Sequence, residues 1–323
     1  MPAVSEPSGS VEDEVFARLE RRLGALPTRQ RLGIESEREA RVFGRGINFF
    51  HPENWFLSPF IIRGALKATG LYRRALKNAA AVRLRHHEVV LPALPTAFDG
   101  FTILQLSDLH VDMNEGAMRR LEELLAGGLA YDLCVMTGDY RGKTHGSFAA
   151  TIEGLAPVCA RLRQPVYGVL GNHDTIRMVP AMERLGIRML LNEAEVLRRG
   201  GAQIHLVGIE DAHYFRVDNI EKAAAQIPPG EISILLSHTP EIYRQAAHAG
   251  FDLLLSGHTH GGQICLPGSI PLTLDSKLPR RMGAGPWHYR GMTGYTSVGV
   301  GSSIVPVRLN CPPEITLHHL RRG

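Results

Sequence analysis

The chain has 323 residues, 44% of them apolar and 21% charged, with a formal net charge of +4. That balance is ordinary for a globular protein and excludes a disordered chain, a collagen-like rod or a coiled coil. No run approaches the ~18 uninterrupted apolar residues of a membrane-spanning helix, and so mild a positive excess does not by itself mark a nucleic-acid binder.

The first ten residues are small and polar and are expected to be disordered. With Glu6, Glu12, Asp13 and Glu14 in the first thirty residues and no apolar core among them, no secretory signal is expected. Residues 12–23 predict a helix, with Val15, Leu19 and Leu23 on one stripe, acids first and arginines last. Residues 55–80 carry Trp55, Phe56, Phe60, Ile61, Ile62, Leu66 and Tyr72, and no acid occurs between Glu53 and Glu88. Arg63, Lys67, Arg73, Arg74, Lys77, Arg83 and Arg85 lie in that interval. A basic amphipathic segment of this kind suits an anionic membrane surface, or a helix packed on the main domain with a solvated basic face. Residues 1–87 are therefore expected to form a helical extension. Cys134, Cys159, Cys265 and Cys311 are widely spaced, without a C-x-x-C, and are expected to be buried, reduced thiols of a cytoplasmic protein.

From residue 88 the pattern changes. Short β-rich runs alternate with helical ones: EVVLPAL, FTILQLSD, a helix near 116–128, YDLCVMTGD, a helix near 146–162, and PVYGVLGNHD. AQIHLVGIED, ISILLSH, DLLLSGHTH, YTSVGVG and EITLHHL follow. The alternation predicts an α/β domain over 88–323.

Several of these runs end in residues that bind metals. They are Asp108 and His110, then Asp139, then Asn172-His173-Asp174, then His238, then His258 and His260. Asp108, Asp139, Asn172, His238 and His258 follow one another at steps of 31, 33, 66 and 20 residues. Ligands bind beyond the carboxyl ends of strands in α/β sheets, so five such ends predict one shared pocket. Mixed imidazole and carboxylate donors suit Zn, Fe or Mn better than Ca or Mg. So many donors exceed what one tetrahedral ion needs and suit two ions sharing a carboxylate, the arrangement for in-line displacement at phosphorus.

With D-x-H, G-D, G-N-H-D, H and G-H-x-H all present in order, the chain resembles the calcineurin-like metallophosphoesterase superfamily over residues 88–321. SDLH, LSHTPE, GHTHGGQ and PVRLNCPPEIT resemble its YkuE/YaeI/LpxG-like branch. The resemblance implies a four-layer αββα sandwich of two mixed sheets flanked by helices. It implies that Asp108, His110 and His260 hold one metal, that Asn172, His238 and His258 hold another, and that Asp139 bridges them. A bridging hydroxide would attack phosphorus in line. His173 would meet the leaving oxygen, with Asp174 as an orienting or substrate-side neighbour.

The stretch between Gln263 and Thr296 reads as a loop-rich insert, with Arg280, Arg281, Trp287, His288, Tyr289 and Arg290 placed to meet phosphate and an apolar group. Asn114, Arg141 and His145 follow ligands closely and are expected to line the cleft. The implied reaction is hydrolysis of a phosphodiester or pyrophosphate, on a lipid-linked substrate such as UDP-2,3-diacylglucosamine at the cytosolic membrane face. A nuclease or cyclic-nucleotide phosphodiesterase would use the same metals. It would show a basic stripe along the cleft, whereas the strongest basic cluster precedes the catalytic domain. A non-catalytic scaffold tends to lose ligands, and the full set is present.

Overall fold

The runs Thr102–Leu106, Leu133–Met136, Ser233–Leu236 and Leu253–Ser256 are buried at every position. A strand buried on both faces lies between two other layers. The computed structural model describes residues 9–43 and 58–323, with side chains over 13–37 and from 59 onward. Residues 1–8 and Trp55, Phe56 and Leu57 lie outside the described residues.

In chain order, helices α1 (Gly9–Leu23), α2 (Ala25–Phe43), α3 (Ser58–Ala68) and α4 (Tyr72–Ala79) precede strand β1 (Arg83–Leu91). Then come β2 (Thr102–Leu106), α5 (Glu115–Ala126), β3 (Leu133–Met136), α6 (Ala149–Cys159), β4 (Val166–Gly168), α7 (Val179–Arg184) and β5 (Ile187–Met189). The second half holds β6 (Glu193–Arg199), β7 (Ala202–Gly208), α8 (Ile220–Ala224), β8 (Ser233–Leu236), α9 (Tyr243–His248) and β9 (Leu253–Ser256). It closes with a small hairpin, β10 (Cys265–Leu266) and β11 (Ile270–Pro271), then β12 (Gly285–Tyr289), β13 (Met292–Thr296) and β14 (Glu314–Arg322). β1 thus starts ahead of the expected boundary at residue 88.

Two six-stranded sheets result, in the orders β1-β14-β2-β3-β4-β5 and β12-β13-β9-β8-β7-β6. Both are mixed: β2 to β5 run parallel and β14 opposes β2, while β7, β8, β9 and β13 run parallel between antiparallel β6 and β12. Ile103, Leu133 and Val135 of the first sheet pack against Ile204, Ile234, Leu253 and Leu255 of the second. Leu104, Leu106 and Met136 face the other way, onto Leu121, Leu155 and Met182 of α5, α6 and α7. Val207, Leu235 and Leu254 face Ala223 and Ala246 of α8 and α9. The four-layer αββα arrangement is therefore observed. All four cysteines are buried as free thiols. Among the described residues, no helix is long and apolar enough to cross a membrane.

The first two helices are bound to the domain. Leu19 and Leu23 enter the outer cluster of the first sheet, and Arg22 pairs with Glu183 on α7 and Glu193 on β6, at 2.7 and 2.6 Å. On α2, the fully buried Arg31 pairs with Glu35 at 3.0 Å and lies 3.5 Å over the Phe215 ring. Its guanidinium donates to the Asp174 carbonyl at 3.0 Å. The Glu35 carboxylate accepts from the Thr175 hydroxyl and the Ile176 amide at 2.6 and 2.8 Å. Burial pushes neighbouring Glu210 up to about 7 even though Arg31 opposes it. The helix therefore grips the backbone just after His173. Glu35→Ala would leave the buried guanidinium with Glu210, at 3.6 Å, as its remaining carboxylate and would strip two donors of their acceptor, so the unfolding free energy is expected to fall by about 3 kcal/mol. Denaturant titration of the intact chain measures this, and a loss below ~1 kcal/mol would contradict it.

Candidate metal centre

The site forms where the two sheets present their carboxyl edges side by side. Asp108 and His110 follow β2, Asp139 follows β3 and Asn172 follows β4, while His238 follows β8 and His258 and His260 follow β9. All seven are buried. Asp108, His110, Asp139, His258 and His260 have positive φ, from 39° to 70°. Non-glycine residues resist that region by ~1–2 kcal/mol each, so the surrounding structure holds these ends in place.

The donor atoms fall into two groups that meet at Asp139. In the first, His110 Nε2 and His260 Nε2 are 3.1 Å apart, and His260 Nε2 is 3.6 Å from Asp108 Oδ1. In the second, His238 Nε2 is 2.8 Å from Asn172 Oδ1 and 3.3 Å from Asp139 Oδ2. Asp139 Oδ2 is also 3.8 Å from His110 Nε2. Asp108, His110 and His260 can converge on one ion, and so can Asp139, His238 and His258. Donors bonded ~2.0–2.2 Å from one ion stand ~3.0–3.5 Å from each other, so this donor set fits divalent metals.

Backbone carbonyls set the imidazole tautomers. Nδ1 of His110 donates to Arg141 at 2.8 Å, Nδ1 of His238 to Thr137 at 2.8 Å and Nδ1 of His173 to Gly142 at 2.9 Å. In each case Nε2 is left for the site. His258 is reversed: Nε2 donates to the Asp275 carbonyl at 2.7 Å, which leaves Nδ1 as its donor atom. Electrostatics favour a cation between them. Burial pushes Asp108 up to about 6. Burial would raise Asp139 as well, but His238 and His173 outweigh it and hold Asp139 well below the usual carboxylate range. Burial would lower His238, and the Asp139 charge overcomes this and lifts it to about 10. Proton and metal thus compete for one nitrogen.

Asp174 is fully buried and faces the protein rather than the cleft. Its carboxylate accepts from the amides of Asp139, Tyr140 and Gly171 at 2.8, 3.0 and 2.8 Å. It locks the loop after β3 to the loop after β4 and orients the site without lining it. Gly257 performs the analogous task between the sheets. A Cβ there would lie 1.9 Å from Ser107 Oγ and 2.2 Å from Asp108 Oδ2. Gly257→Ala is expected to displace Asp108, cost about 1–3 kcal/mol of stability and reduce bound metal. Denaturation and metal analysis of the purified variant would check both effects.

The residues expected to meet substrate divide. Arg141 is buried behind the site, with its guanidinium on the His173 and Gly146 carbonyls, so it positions the His173 backbone. Asn114 caps α5 by accepting from the Ala117 amide at 3.1 Å. His145 lies beside Thr144 in the loop after Arg141. Arg281 is exposed in a short 3-10 turn. Trp287 requires correction: it is buried on β12 in the outer cluster of the second sheet, with Nε1 donating to Thr296 Oγ1 at 2.9 Å. Tyr289, on the same strand, packs edge-on against Tyr243 at 4.9 Å. The insert is thus only partly loop, because its second half forms the β12–β13 hairpin.

Three residues at the site were not singled out in the sequence. His213, after β7, has its ring 4.3 Å from that of His258, and its Nδ1 donates to Glu241 at 2.9 Å. Glu241 also accepts from the Lys277 amide at 2.5 Å and the Ser276 hydroxyl at 3.3 Å, which ties the insert to the second group of donors. Burial would raise Glu241, but His213 prevails and holds it at about 2. Arg308, fully buried, sits 3.1 Å from His260 Nδ1 and donates to the Val298 carbonyl at 2.6 Å. Their available signal was position: His213 and Glu241 lie just past strand ends, and Arg308 lies within PVRLNCPPEIT.

Residues 101–262 match the family model described as calcineurin-like phosphoesterase. Metallophosphoesterase YkoQ of Bacillus subtilis is 30% identical over 68% of this chain and 83% of its own length. Phosphodiesterase YaeI of Escherichia coli is 30% identical over 68% and 82%. Metallophosphoesterase YkuE of Bacillus subtilis is 30% identical over 80% and 92%. By these matches, and with a donor set suited to divalent metal at its strand ends, the chain belongs to the calcineurin-like metallophosphoesterases, metal-dependent hydrolases of phosphoric esters.

Proposed function

We propose that the chain hydrolyses a phosphodiester or pyrophosphate bond with two divalent ions, Mn, Fe or Zn, on a lipid-linked substrate at the cytosolic membrane face. One observation carries the dinuclear reading. Asp139 Oδ2 stands between the two donor groups, 3.8 Å from His110 and 3.3 Å from His238. Asp108, His110 and His260 would hold one ion, Asn172, His238 and His258 the other, and Asp139 both. When bound, such ions supply a water nucleophile at neutral pH and offset phosphoryl charge.

The chain's own residues do the rest. His173 is held by its own amide on Asp139 Oδ1 at 2.9 Å and by Nδ1 on the Gly142 carbonyl. Its Nε2 then faces the cleft and gives a proton to the departing oxygen. Asp174 keeps the two flanking loops in register, and Glu241 holds His213 and the insert beside the second group.

The diester reading is supported by the name of YaeI. The lipid reading is supported by the acid-free basic segment ahead of the domain, among whose described residues Lys67, Arg73, Arg74 and Lys77 are exposed. The deciding experiment is a substrate screen with Mn, Fe or Zn supplied. It would compare UDP-2,3-diacylglucosamine, cyclic nucleotides and bis-p-nitrophenyl phosphate. Turnover of the lipid nucleotide well above the others is the expected result. Turnover of cyclic nucleotides alone would overturn the substrate, and metal binding without any turnover would overturn the enzyme.

A further inference from the structure

Seven large apolar side chains stand exposed among the described residues, and five of them belong to helix α3 and to the β10–β11 hairpin and its flank. Phe60 and Ile61 lie on α3, and Leu266, Ile270 and Leu272 lie on or beside the β10–β11 hairpin, each at least 50% exposed. The solvent side of a surface helix is normally polar. On α3 it is Phe60, Ile61, Gly64, Ala65 and Ala68, with Lys67 as the one charge.

The two elements are joined through residues 304–310. Leu66 of α3 and Ala75 of α4 pack on Val305, Val307 and Leu309. The Arg308 amide donates to the Ala75 carbonyl at 2.9 Å. On the other side the Cys265 amide donates to the Leu309 carbonyl at 2.8 Å, and Asn310 Nδ2 donates to the Cys265 carbonyl at 2.9 Å. Helix pair, connecting segment and hairpin therefore form one layer. The outward residues of α4 are Arg73, Arg74 and Lys77, and no acid occurs from residue 54 to residue 87.

The geometry points to this layer as a docking surface for an anionic lipid bilayer, with α3 and the hairpin seated among the acyl chains and the α4 cations on the headgroups. An apolar wedge flanked by cations matches the interfacial region of an anionic leaflet. A soluble acidic protein would offer charge for α4 but nothing for five exposed aliphatic and aromatic groups. The surface also adjoins the metal centre. The hairpin is bracketed in the chain by His260 and by Asp275, whose carbonyl holds His258. Leu272 is three residues from Asp275, within ~10 Å at full extension. A bilayer on this face would bring a lipid-anchored phosphate to the cleft without its leaving the interface. This deepens the lipid-linked reading above by naming the surface that serves it.

The test is flotation of the intact chain with phosphatidylcholine vesicles, with and without phosphatidylglycerol, alongside hydrolysis of soluble bis-p-nitrophenyl phosphate. The chain is expected to float with anionic vesicles and not with neutral ones. Phe60→Glu with Ile61→Glu, or Leu266→Glu with Ile270→Glu, is expected to reduce binding roughly tenfold or more. Arg73→Ala with Arg74→Ala should do the same, through about fivefold per cation. Soluble turnover should stay unchanged in all three. Unaltered vesicle binding in these variants would overturn the surface. So would an Ile61 variant that merely dissociates a dimer, or one that lowers thermal stability but not flotation. The first would make the face a contact between copies, and the second would make it an internal packing face of the chain. Loss of soluble turnover in the unaltered chain would instead count against the hydrolase reading and leave the docking result standing.

Discussion

Asp139→Asn is expected to abolish hydrolysis, with kcat/KM falling about 10⁴-fold, on the order of 5–6 kcal/mol of transition-state stabilisation. The substitution keeps the shape and removes one negative charge. That charge is the one placed between the two donor groups, 3.3 Å from His238 and 3.8 Å from His110. Without it the pocket would set four histidines against the single carboxylate of Asp108 among the candidate donors, and cation binding would lose its main electrostatic support. Bound metal per chain should fall together with turnover. Asp139 Oδ1 also accepts the His173 amide, and asparagine can preserve that bond. The fold should therefore survive, and far-UV circular dichroism should be unchanged. A variant with a full complement of metal and normal turnover would remove Asp139 from the bridging position.

Far more of the site than of its supports was legible in the sequence. The candidate donors were readable because each follows a short apolar run, and in this architecture such runs end at one edge. Asp108, Asp139, Asn172, His238 and His258 needed no further information to be placed together. The supports work differently. Arg31 and Glu35 lie in RQRLGIESEREAR, which reads as a solvated polar helix. Only partners far along the chain, at residues 174–176 some 140 positions away and at Glu210 and Phe215, show that the pair is buried. Trp287 was misplaced for a local reason. The β12–β13 hairpin turns at Arg290 and Gly291, both with positive φ, and Arg-Gly is a weaker signal for such a turn than Asn-Gly or Asp-Gly. Without that turn the stretch looks like a loop, and an aromatic in a loop beside a metal site looks like a substrate contact. β5 has three residues, and β6, EAEVLRR, is an edge strand whose charges hide its pairing with β7. Glu241 was visible as part of LSHTPE, yet its work on His213, Ser276 and Lys277 depends on three loops meeting.

His173→Ala should leave metal content intact and lower kcat by about 10²–10⁴, the range of a positioned general acid. The imidazole is not needed to complete either donor group. Its Nε2 is 3.8 Å from Asp139 Oδ2, and its Nδ1 is occupied by the Gly142 carbonyl. On the reading proposed above, what it would offer is a proton at a fixed point beside the Asp139 carboxylate. The size of the loss should then depend on the leaving group. A p-nitrophenolate departs with little help, so the defect on bis-p-nitrophenyl phosphate should be the smaller one. The alkoxide of an alkyl diester leaves as a strong base, and there the variant should lose the most. That dependence separates acid catalysis from a positional role, because a shifted Asp139 or a missing metal would depress both substrates alike. Equal losses accompanied by metal depletion would make His173 a support for the centre. Equal losses with full metal content would leave it an electrostatic role without proton transfer.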